Sequence, residues 1–235
     1  MKLIISFILI VSIFYTFVPA FPNYGGSDSN KFEPSEKAWK EADKILKKMT
    51  LDEKIGQLVH IGFNAKYASQ DSDFFKNIQR DIVQNKVGGI IVFAGGLYET
   101  VHLVNRMQEN AKVPLLISAD FESGVGMRFE ETTNFPWNMA VAATGNPEFA
   151  RREGEIVGRE AKALGVYQVF APVVDVNNNP DNPVINFRSY GENPNDVARF
   201  GVAFTQGIQS NRVIATAKHF PGHGDTAIDS HRGLP

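Results

Sequence analysis

Short apolar segments that alternate with amphipathic ones constrain the fold of this chain more than any other feature. The apolar, β-prone segments occupy residues 56–63, 88–93, 115–119, 168–176 and 213–217. Segments with the apolar spacing of helices separate them, at residues 34–49, 71–86, 98–111, 147–164 and 194–210. Strands that are apolar throughout and are separated by helices are typical of a parallel sheet covered by helices. The sequence therefore predicts an α/β fold with five parallel strands.

This order of elements fits either an open doubly wound sheet or a (β/α)8 TIM-type barrel. An open nucleotide-binding sheet usually has a Gly-x-Gly-x-x-Gly turn after its first strand, and this sequence has none there. Polar residues recur just beyond the predicted strand ends, as at Asp120, Asp175 and Lys218, which is typical of the catalytic face of a barrel. A complete barrel needs about 250 residues. We therefore predict a (β/α)8 barrel that is truncated at its C-terminal end after about five strands.

Composition excludes several classes of protein. The chain has 235 residues, of which 43% are hydrophobic and 21% are charged, and its net charge is −2. This charge balance offers no basic surface for nucleic acid, so we predict no nucleic-acid partner. The sequence contains no cysteine, which excludes a disulfide framework, a thiolate zinc site and a thiol nucleophile.

The N-terminus has the pattern of a secretory signal peptide. A lysine at position 2 precedes an apolar run over residues 3–18, and Val18 and Ala20 occupy the −3 and −1 positions of a signal-peptidase site. We predict a cleaved signal peptide at residues 1–20, a polar leader at 21–33 and the barrel at 34–235. The protein is then exported to the periplasm or the medium and does not contact the membrane after cleavage. The alternative is an uncleaved anchor, because the run is only slightly shorter than a membrane span.

The segment at residues 218–231 concentrates candidate catalytic groups, and its sequence is KHFPGHGDTAIDSH. Asp229 and His231 lie two residues apart on a loop, so the carboxylate can hold one ring nitrogen while the other nitrogen faces a substrate. An imidazole can donate and then accept a proton near neutral pH. The sequence therefore makes this pair a candidate acid/base, and the alternative is a solvated loop with incidental charges.

Candidate binding residues lie at the ends of two predicted strands and in one loop. Lys218 and His219 follow the fifth strand, and Asp120 and Glu122 follow the third. Paired carboxylates are suited to acid/base work or to binding sugar hydroxyls. Arg188 has a planar set of donors that can bind a substrate oxygen or orient a carboxylate. A purely structural ion pair is the alternative for Arg188 and the two acids.

A catalytic zinc ion is a further alternative for the same segment. Imidazole and carboxylate ligands suit zinc, and His219, His223, Asp225 and His231 supply four of them. Against it, these residues share one loop with turn-forming glycines, and no His-x-His follows the first strand. We predict no metal and no cofactor. The sequence also lacks a Gly-x-Ser-x-Gly elbow, so it gives little support to a serine acyl-transfer enzyme.

Taken together, the motifs resemble the barrel domain of glycoside hydrolase family 3, in its β-N-acetylglucosaminidase branch. The resemblance extends from about residue 51 to the end, and the segment at 218–231 is its most specific part. It implies retaining hydrolysis of terminal β-linked N-acetylglucosamine, without a cofactor, from cell-wall fragments or other oligosaccharides. His231 would be the general acid/base and Asp229 its partner. Sugar hydroxyls would be bound by Asp120, Arg188, Lys218 and His219.

The resemblance also implies features that this sequence lacks. A retaining enzyme needs a carboxylate nucleophile, which this family carries on a later strand, so we expect it beyond Pro235 in a longer protein. The family motif Asp-x-Glu-Gly-Gly-Arg ends here at Val125, and the nearest arginine is Arg128. A β-glucosidase and a non-catalytic carbohydrate-binding module therefore stay open. The oligomeric state, and whether water or phosphate accepts the sugar, stay open as well.

Overall fold

The computed structural model of the protein describes residues 34–234. The predicted signal peptide and polar leader lie outside these residues, as does Pro235. Their assignment therefore stays a prediction. Among the residues that the structure describes, no helix has both the length and the apolar character to cross a membrane.

Two helices precede the first strand, and at least one helix separates each strand from the next. The helices are α1 (Glu36–Lys48), α2 (Leu51–Gln57), α3 (Asp73–Val83), α4 (Leu97–Asn110), α5 (Asn138–Ala142), α6 (Pro147–Ala163) and α7 (Pro194–Gln209). The strands are β1 (His60–Asn64), β2 (Gly89–Ala94), β3 (Leu116–Ala119), β4 (Gln168–Val169) and β5 (Ile214–Ala215). Short 3-10 helices occupy Val125–Met127 and Asn186–Arg188.

The five strands form one parallel sheet whose spatial order is the chain order, β1-β2-β3-β4-β5. All five carboxyl ends therefore lie along one edge of the sheet. The core lies between the sheet and the helices, and Ile90, Val92, Ile117 and Val169 of the strands are completely buried in it. The predicted α/β class and parallel sheet are confirmed.

The first predicted strand is partly wrong. Its first two residues, 56 and 57, belong to α2, and the strand begins only at His60. Thr50 caps α2 by accepting a hydrogen bond from the Glu53 amide, and the Glu53 carboxylate accepts one from the Thr50 amide. This reciprocal capping box starts a helix before the strand.

The fourth and fifth strands are shorter than predicted, because Pro172 interrupts the regular ladder. Proline has no amide hydrogen to donate, and β4 ends at Val169. The two segments nevertheless remain paired. The Lys218 amide donates to Pro172 O at 3.0 Å, and the Val174 amide donates to Lys218 O at 2.7 Å. Because of this irregular pairing, Lys218 lies at the same edge of the sheet as Asp175.

Candidate active site

Asp120 is the first polar residue beyond β3 and binds two cations. Its Oδ1 lies 2.8 Å from Lys218 Nζ, and its Oδ2 lies 3.0 Å from Arg128 Nη2. Arg128 follows the 3-10 helix that turns the chain back after β3. The two cations therefore come from different segments and converge on one carboxylate.

Glu122 is more deeply buried than Asp120, with 2% of its side chain exposed against 16%. Arg188 donates to both of its oxygens, from Nε to Oε2 at 2.8 Å and from Nη2 to Oε1 at 2.7 Å. Lys218 Nζ also contacts Oε1, at 2.5 Å. Burial raises the pKa of Glu122, but the hydrogen bond from Arg188 and the charge of Lys218 outweigh it and hold the pKa below its ordinary value.

These contacts join five side chains into one network, which we call the strand-end network: Asp120, Glu122, Arg128, Arg188 and Lys218. Three cations and two carboxylates give it one net positive charge. Lys218 has three N–H donors, and its two carboxylate partners leave one donor for a ligand. Such a network is suited to binding the hydroxyl groups of a polar, uncharged ligand at the edge of the sheet.

Arg188 is held from its backbone as well as through Glu122. Asn138 Nδ2 donates to Arg188 O at 2.7 Å, and the Arg188 side chain donates from Nη1 to Val184 O at 3.1 Å. The hydrogen bond to Glu122 raises the pKa of Arg188, and the nearby charges of Asp175 and Asp120 add to this effect. The structure therefore places Arg188 on the Glu122 carboxylate, a contact that fits both the orienting role and the structural ion pair considered from the sequence.

His219 is bound to a different acid from its neighbour Lys218. Its Nδ1 lies 2.6 Å from Oδ2 of Asp175, and its backbone amide donates to the same oxygen at 3.1 Å. The other oxygen of Asp175 accepts from the His223 amide at 2.7 Å. The Asp175 side chain is fully buried. Burial raises its pKa, but the hydrogen bonds from His219 and His223 outweigh this and lower it.

Asp229 and His231 contact each other on an exposed turn. Oδ1 of Asp229 accepts from the His231 amide at 2.9 Å and lies 2.7 Å from His231 Nδ1. The His231 side chain is 79% exposed. The backbone hydrogen bond from His231, followed by the ring contact, lowers the pKa of Asp229. A carboxylate on Nδ1 directs the other ring nitrogen outward, which is the arrangement that a general acid/base requires.

The structure brings some of the predicted residues together and connects others indirectly. Asp120, Arg188 and Lys218 meet in the strand-end network, and His219 adjoins it as the residue after Lys218. The Asp229–His231 pair is connected to the buried part of the loop through Ser230, whose Oγ lies 3.1 Å from His223 Nε2. In residues 34–234, no cluster of three or more His, Asp or Glu side chains has the geometry to hold a metal ion.

From the sequence, Asp175 was only one of several polar strand-end residues and His223 only a ligand in the zinc alternative, while Glu122 and Arg128 had no definite role. The position of Asp175 just past a predicted strand was the available signal for that residue. The ring contacts of His223 depend on residues three and seven positions away in an irregular loop. No periodic pattern reports such contacts.

Comparison with known proteins gives a consistent result. The family model described as "Glycosyl hydrolase family 3 N terminal domain" matches residues 50–235. Beta-hexosaminidase A of Pseudoalteromonas piscicida is 40% identical over 162 residues, which are 63% of this chain and 27% of that protein. A beta-N-acetylglucosaminidase/beta-glucosidase of Cellulomonas fimi is 38% identical over 186 residues, which are 79% of this chain and 32% of that protein.

Among solved structures, a glycoside hydrolase family 3 beta-N-acetylglucosaminidase from Paenibacillus sp. str. FPU-7 is similar. It has a TM-score of 0.70 and 45% identity, over 78% of this chain and 35% of that one. This chain thus spans about a third or less of the length of these relatives. The match to the family model covers most of its residues. The chain belongs to glycoside hydrolase family 3 and carries its N-terminal domain.

Proposed function

We propose that the full-length protein is a retaining β-N-acetylhexosaminidase that releases terminal β-linked N-acetylglucosamine. The single observation that carries this proposal is the Asp229–His231 pair, with a 2.7 Å contact and an exposed imidazole. The names of the Cellulomonas relative and of the Paenibacillus structure, which both contain beta-N-acetylglucosaminidase, support the choice of sugar. An exported enzyme of this kind would act on cell-wall fragments or other oligosaccharides outside the cytoplasm.

In the proposed mechanism, protonated His231 gives its proton to the glycosidic oxygen while a carboxylate attacks the anomeric carbon. The bond to the leaving sugar breaks and a glycosyl-enzyme ester forms. His231, now neutral, takes a proton from water, which adds to the anomeric carbon and releases the carboxylate. We expect the nucleophile in a part of the protein beyond Pro235. Asp229 stabilises the imidazolium form of His231 before the first step.

The strand-end network binds the sugar in this proposal. Asp120 accepts hydrogen bonds from hydroxyl groups, and Lys218 donates the N–H that its carboxylate partners leave unused. Arg188 and His219 complete the set of donors at the same edge of the sheet. Because the network carries one net positive charge, it is suited to an uncharged sugar with several oxygen acceptors rather than to a cation.

We also infer that the five strands belong to an eight-stranded barrel. All the strands are parallel and adjacent in chain order, whereas the order reverses within a doubly wound sheet. A crystal structure of the full-length protein tests this inference. We expect β1 to pair with an eighth strand, and an unpaired β1 edge in that structure would contradict the barrel.

Two substrates with different leaving groups test the catalytic role. In the full-length protein, His231→Ala should lower kcat/KM for N,N′-diacetylchitobiose by more than about 100-fold, because general acid catalysis contributes about 10²–10⁴. The loss on a 2,4-dinitrophenyl β-N-acetylglucosaminide should be much smaller, since dinitrophenolate leaves without a proton. His102→Ala replaces an exposed histidine of α4 and should leave both rates unchanged.

The product reports the stereochemistry. Proton NMR should detect the β-anomer of N-acetylglucosamine first, as retention requires. Equal losses on both substrates would remove the acid role from His231, and the α-anomer would exclude retention. Saccharide binding by the wild-type protein without hydrolysis would indicate a binding module instead.

A β-glucosidase is the second candidate, because the Cellulomonas relative carries both activities in its name. The two are separated by kcat/KM on matched 4-nitrophenyl glycosides of N-acetylglucosamine and glucose. We expect the acetylated sugar to be preferred. Repeating the assay with phosphate distinguishes transfer to phosphate from hydrolysis, because a glycosyl phosphate then appears among the products.

A further inference from the structure

His223 is a buried histidine in the same segment as the proposed acid/base, and it has no role in the mechanism above. Its side chain lies within the fold, with 7% of the residue exposed. Its backbone amide is fixed by Asp175 at 2.7 Å, and its carbonyl accepts from Asn182 Nδ2 at 2.6 Å. The ring is therefore mounted on a backbone that is held from both sides.

Both ring nitrogens of His223 contact hydroxyl groups. Nδ1 lies 2.5 Å from Thr226 Oγ1, and Nε2 lies 3.1 Å from Ser230 Oγ. With the Thr226 hydroxyl hydrogen assigned to His223 O, 3.1 Å away, Thr226 Oγ1 accepts from the ring and Nδ1 carries the proton. In the neutral ring, Nε2 is then an acceptor, and the hydroxyl of Ser230 donates to it.

Ser230 lies between Asp229 and His231 on the exposed turn. The amides of His231, Arg232 and Gly233 all bond to oxygens of Asp229. These bonds give the turn its shape, but they join its residues only to one another. The Ser230–His223 hydrogen bond, in contrast, joins the turn to a buried residue that is anchored to the sheet edge through Asp175.

We propose that His223 is a positioning residue for the acid/base pair: by accepting from Ser230 it fixes the turn, and with it the Nε2 atom of His231, relative to the sugar-binding residues. The proposal rests on the function proposed above for Asp229 and His231. His223 itself does not touch the substrate. Catalysis depends on it because displacing a catalytic group by about 1 Å can cost about 100-fold in rate.

A matched set of variants of the full-length protein tests the Ser230–His223 hydrogen bond. Ser230→Ala removes the hydroxyl. His223→Asn keeps an amide near the Nδ1 position for Thr226 and loses the contact to Ser230, whereas His223→Gln carries an amide oxygen near the Nε2 position and can keep it. Ser210→Ala makes the same chemical change as Ser230→Ala, at an exposed serine beyond α7.

We expect Ser230→Ala and His223→Asn each to lower kcat/KM for diacetylchitobiose by about 10- to 100-fold, with a smaller loss on the dinitrophenyl glycoside. The double variant should lose no more than the stronger single variant, because both substitutions remove one contact. His223→Gln should recover part of the rate. Equal losses on the two substrates, or additive losses in the double variant, would overturn the proposal.

Amide hydrogen exchange provides a readout that does not need activity. Exchange at His231–Gly233 should become faster in Ser230→Ala and His223→Asn and stay unchanged in Ser210→Ala. Unchanged exchange in both loop variants would overturn the positioning role even in an active enzyme. If the wild-type protein does not hydrolyse the substrates, the proposed function is contradicted. Faster exchange in the variants would still support the Ser230–His223 hydrogen bond as the contact that fixes the turn. Ser230→Ala keeps the test valid if His223→Asn does not fold, because Ser230 is exposed.

Discussion

Arg188 binds both carboxylate oxygens of Glu122, at 2.8 and 2.7 Å, although the two residues lie 66 positions apart in the chain. Glu122 is 2% exposed and Arg188 is 19% exposed. A buried acid of this kind is stable only when charged partners compensate for its loss of hydration. The pair therefore fixes the Arg188 loop against the end of β3.

Replacing Glu122 by glutamine should destabilise the protein. Removing one partner of a buried ion pair leaves the other charge uncompensated and typically costs about 3–5 kcal/mol. We expect Glu122→Gln to lower the free energy of unfolding by about 3 kcal/mol, because Lys218 keeps Asp120 as a partner. Urea unfolding measures this change. Glu148→Gln breaks an exposed pair with Arg151 and serves as the control, so equal effects of the two variants would contradict the prediction.

Asp175→Asn should disturb both histidines that Asp175 holds. The variant keeps an oxygen for the His223 amide but turns an N–H group towards the His219 amide. Hydrogen bonds to a charged group contribute about 1.5–3 kcal/mol, so we expect the free energy of unfolding to fall by about 2 kcal/mol. The binding of N-acetylglucosamine, measured by calorimetry, should weaken as His219 moves. Asp181→Asn, at an exposed position, should change neither quantity, and a wild-type affinity in Asp175→Asn would separate His219 from sugar binding.

Glu153 should make stability depend on pH. It is 3% exposed in α6, and among the described residues its carboxylate oxygens have no hydrogen-bond partner. Burial raises its pKa to about 8 from 4.5. The unfolded chain therefore loses this proton near pH 4.5 while the folded protein keeps it to about pH 8. The free energy of unfolding should fall as pH rises between these values, with a slope of at most about 1.4 kcal/mol per pH unit.

Urea unfolding at pH 5.5 and 7.5 measures this dependence. Glu153→Gln cannot ionise, so it should lose this part of the pH dependence and be more stable than the wild type at pH 8. Glu192→Gln, at an exposed position, should keep the wild-type slope. The same slope in the wild type and in Glu153→Gln would show that Glu153 is already ionised in the folded protein.

Gly224→Ala should be one of the least tolerated substitutions near the site. A Cβ atom at this position would lie 1.7 Å from Val176 O, a backbone atom that cannot move aside. Overpacking of this severity costs about 3 kcal/mol in stability. It would also push the segment at residues 218–231 away from Val176. At Gly233, an added Cβ would meet its nearest atom at 3.6 Å, an ordinary contact. Thermal unfolding should therefore show a lower Tm for Gly224→Ala and an unchanged Tm for Gly233→Ala. Similar Tm values in the two variants would contradict the prediction.

The sequence by itself determined the class of fold and most of its elements. Apolar segments of strand length between amphipathic helices leave few arrangements other than a covered parallel sheet. The bounds of α4 and α6 agree with the sequence prediction to within about two residues, because helical periodicity and capping residues are local signals. The strand ends were less well determined, since the pairing at Pro172 depends on a neighbouring segment that is distant in the sequence. The capping box at Thr50 and Glu53 was a local signal that the strand prediction overlooked.

Sequence also identified the residues with chemical potential, but only the tertiary structure decided which of them meet. That Asp229 and His231 contact each other follows from their spacing, because a two-residue turn brings them together. The other contacts join residues that lie at least 44 positions apart in the chain. They are Arg188 with Glu122, Lys218 with Asp120 and Glu122, and Asp175 with His219. Such contacts depend on the register of parallel strands and on the path of long loops. These are set by the packing of the whole sheet, and no local pattern in the sequence encodes them.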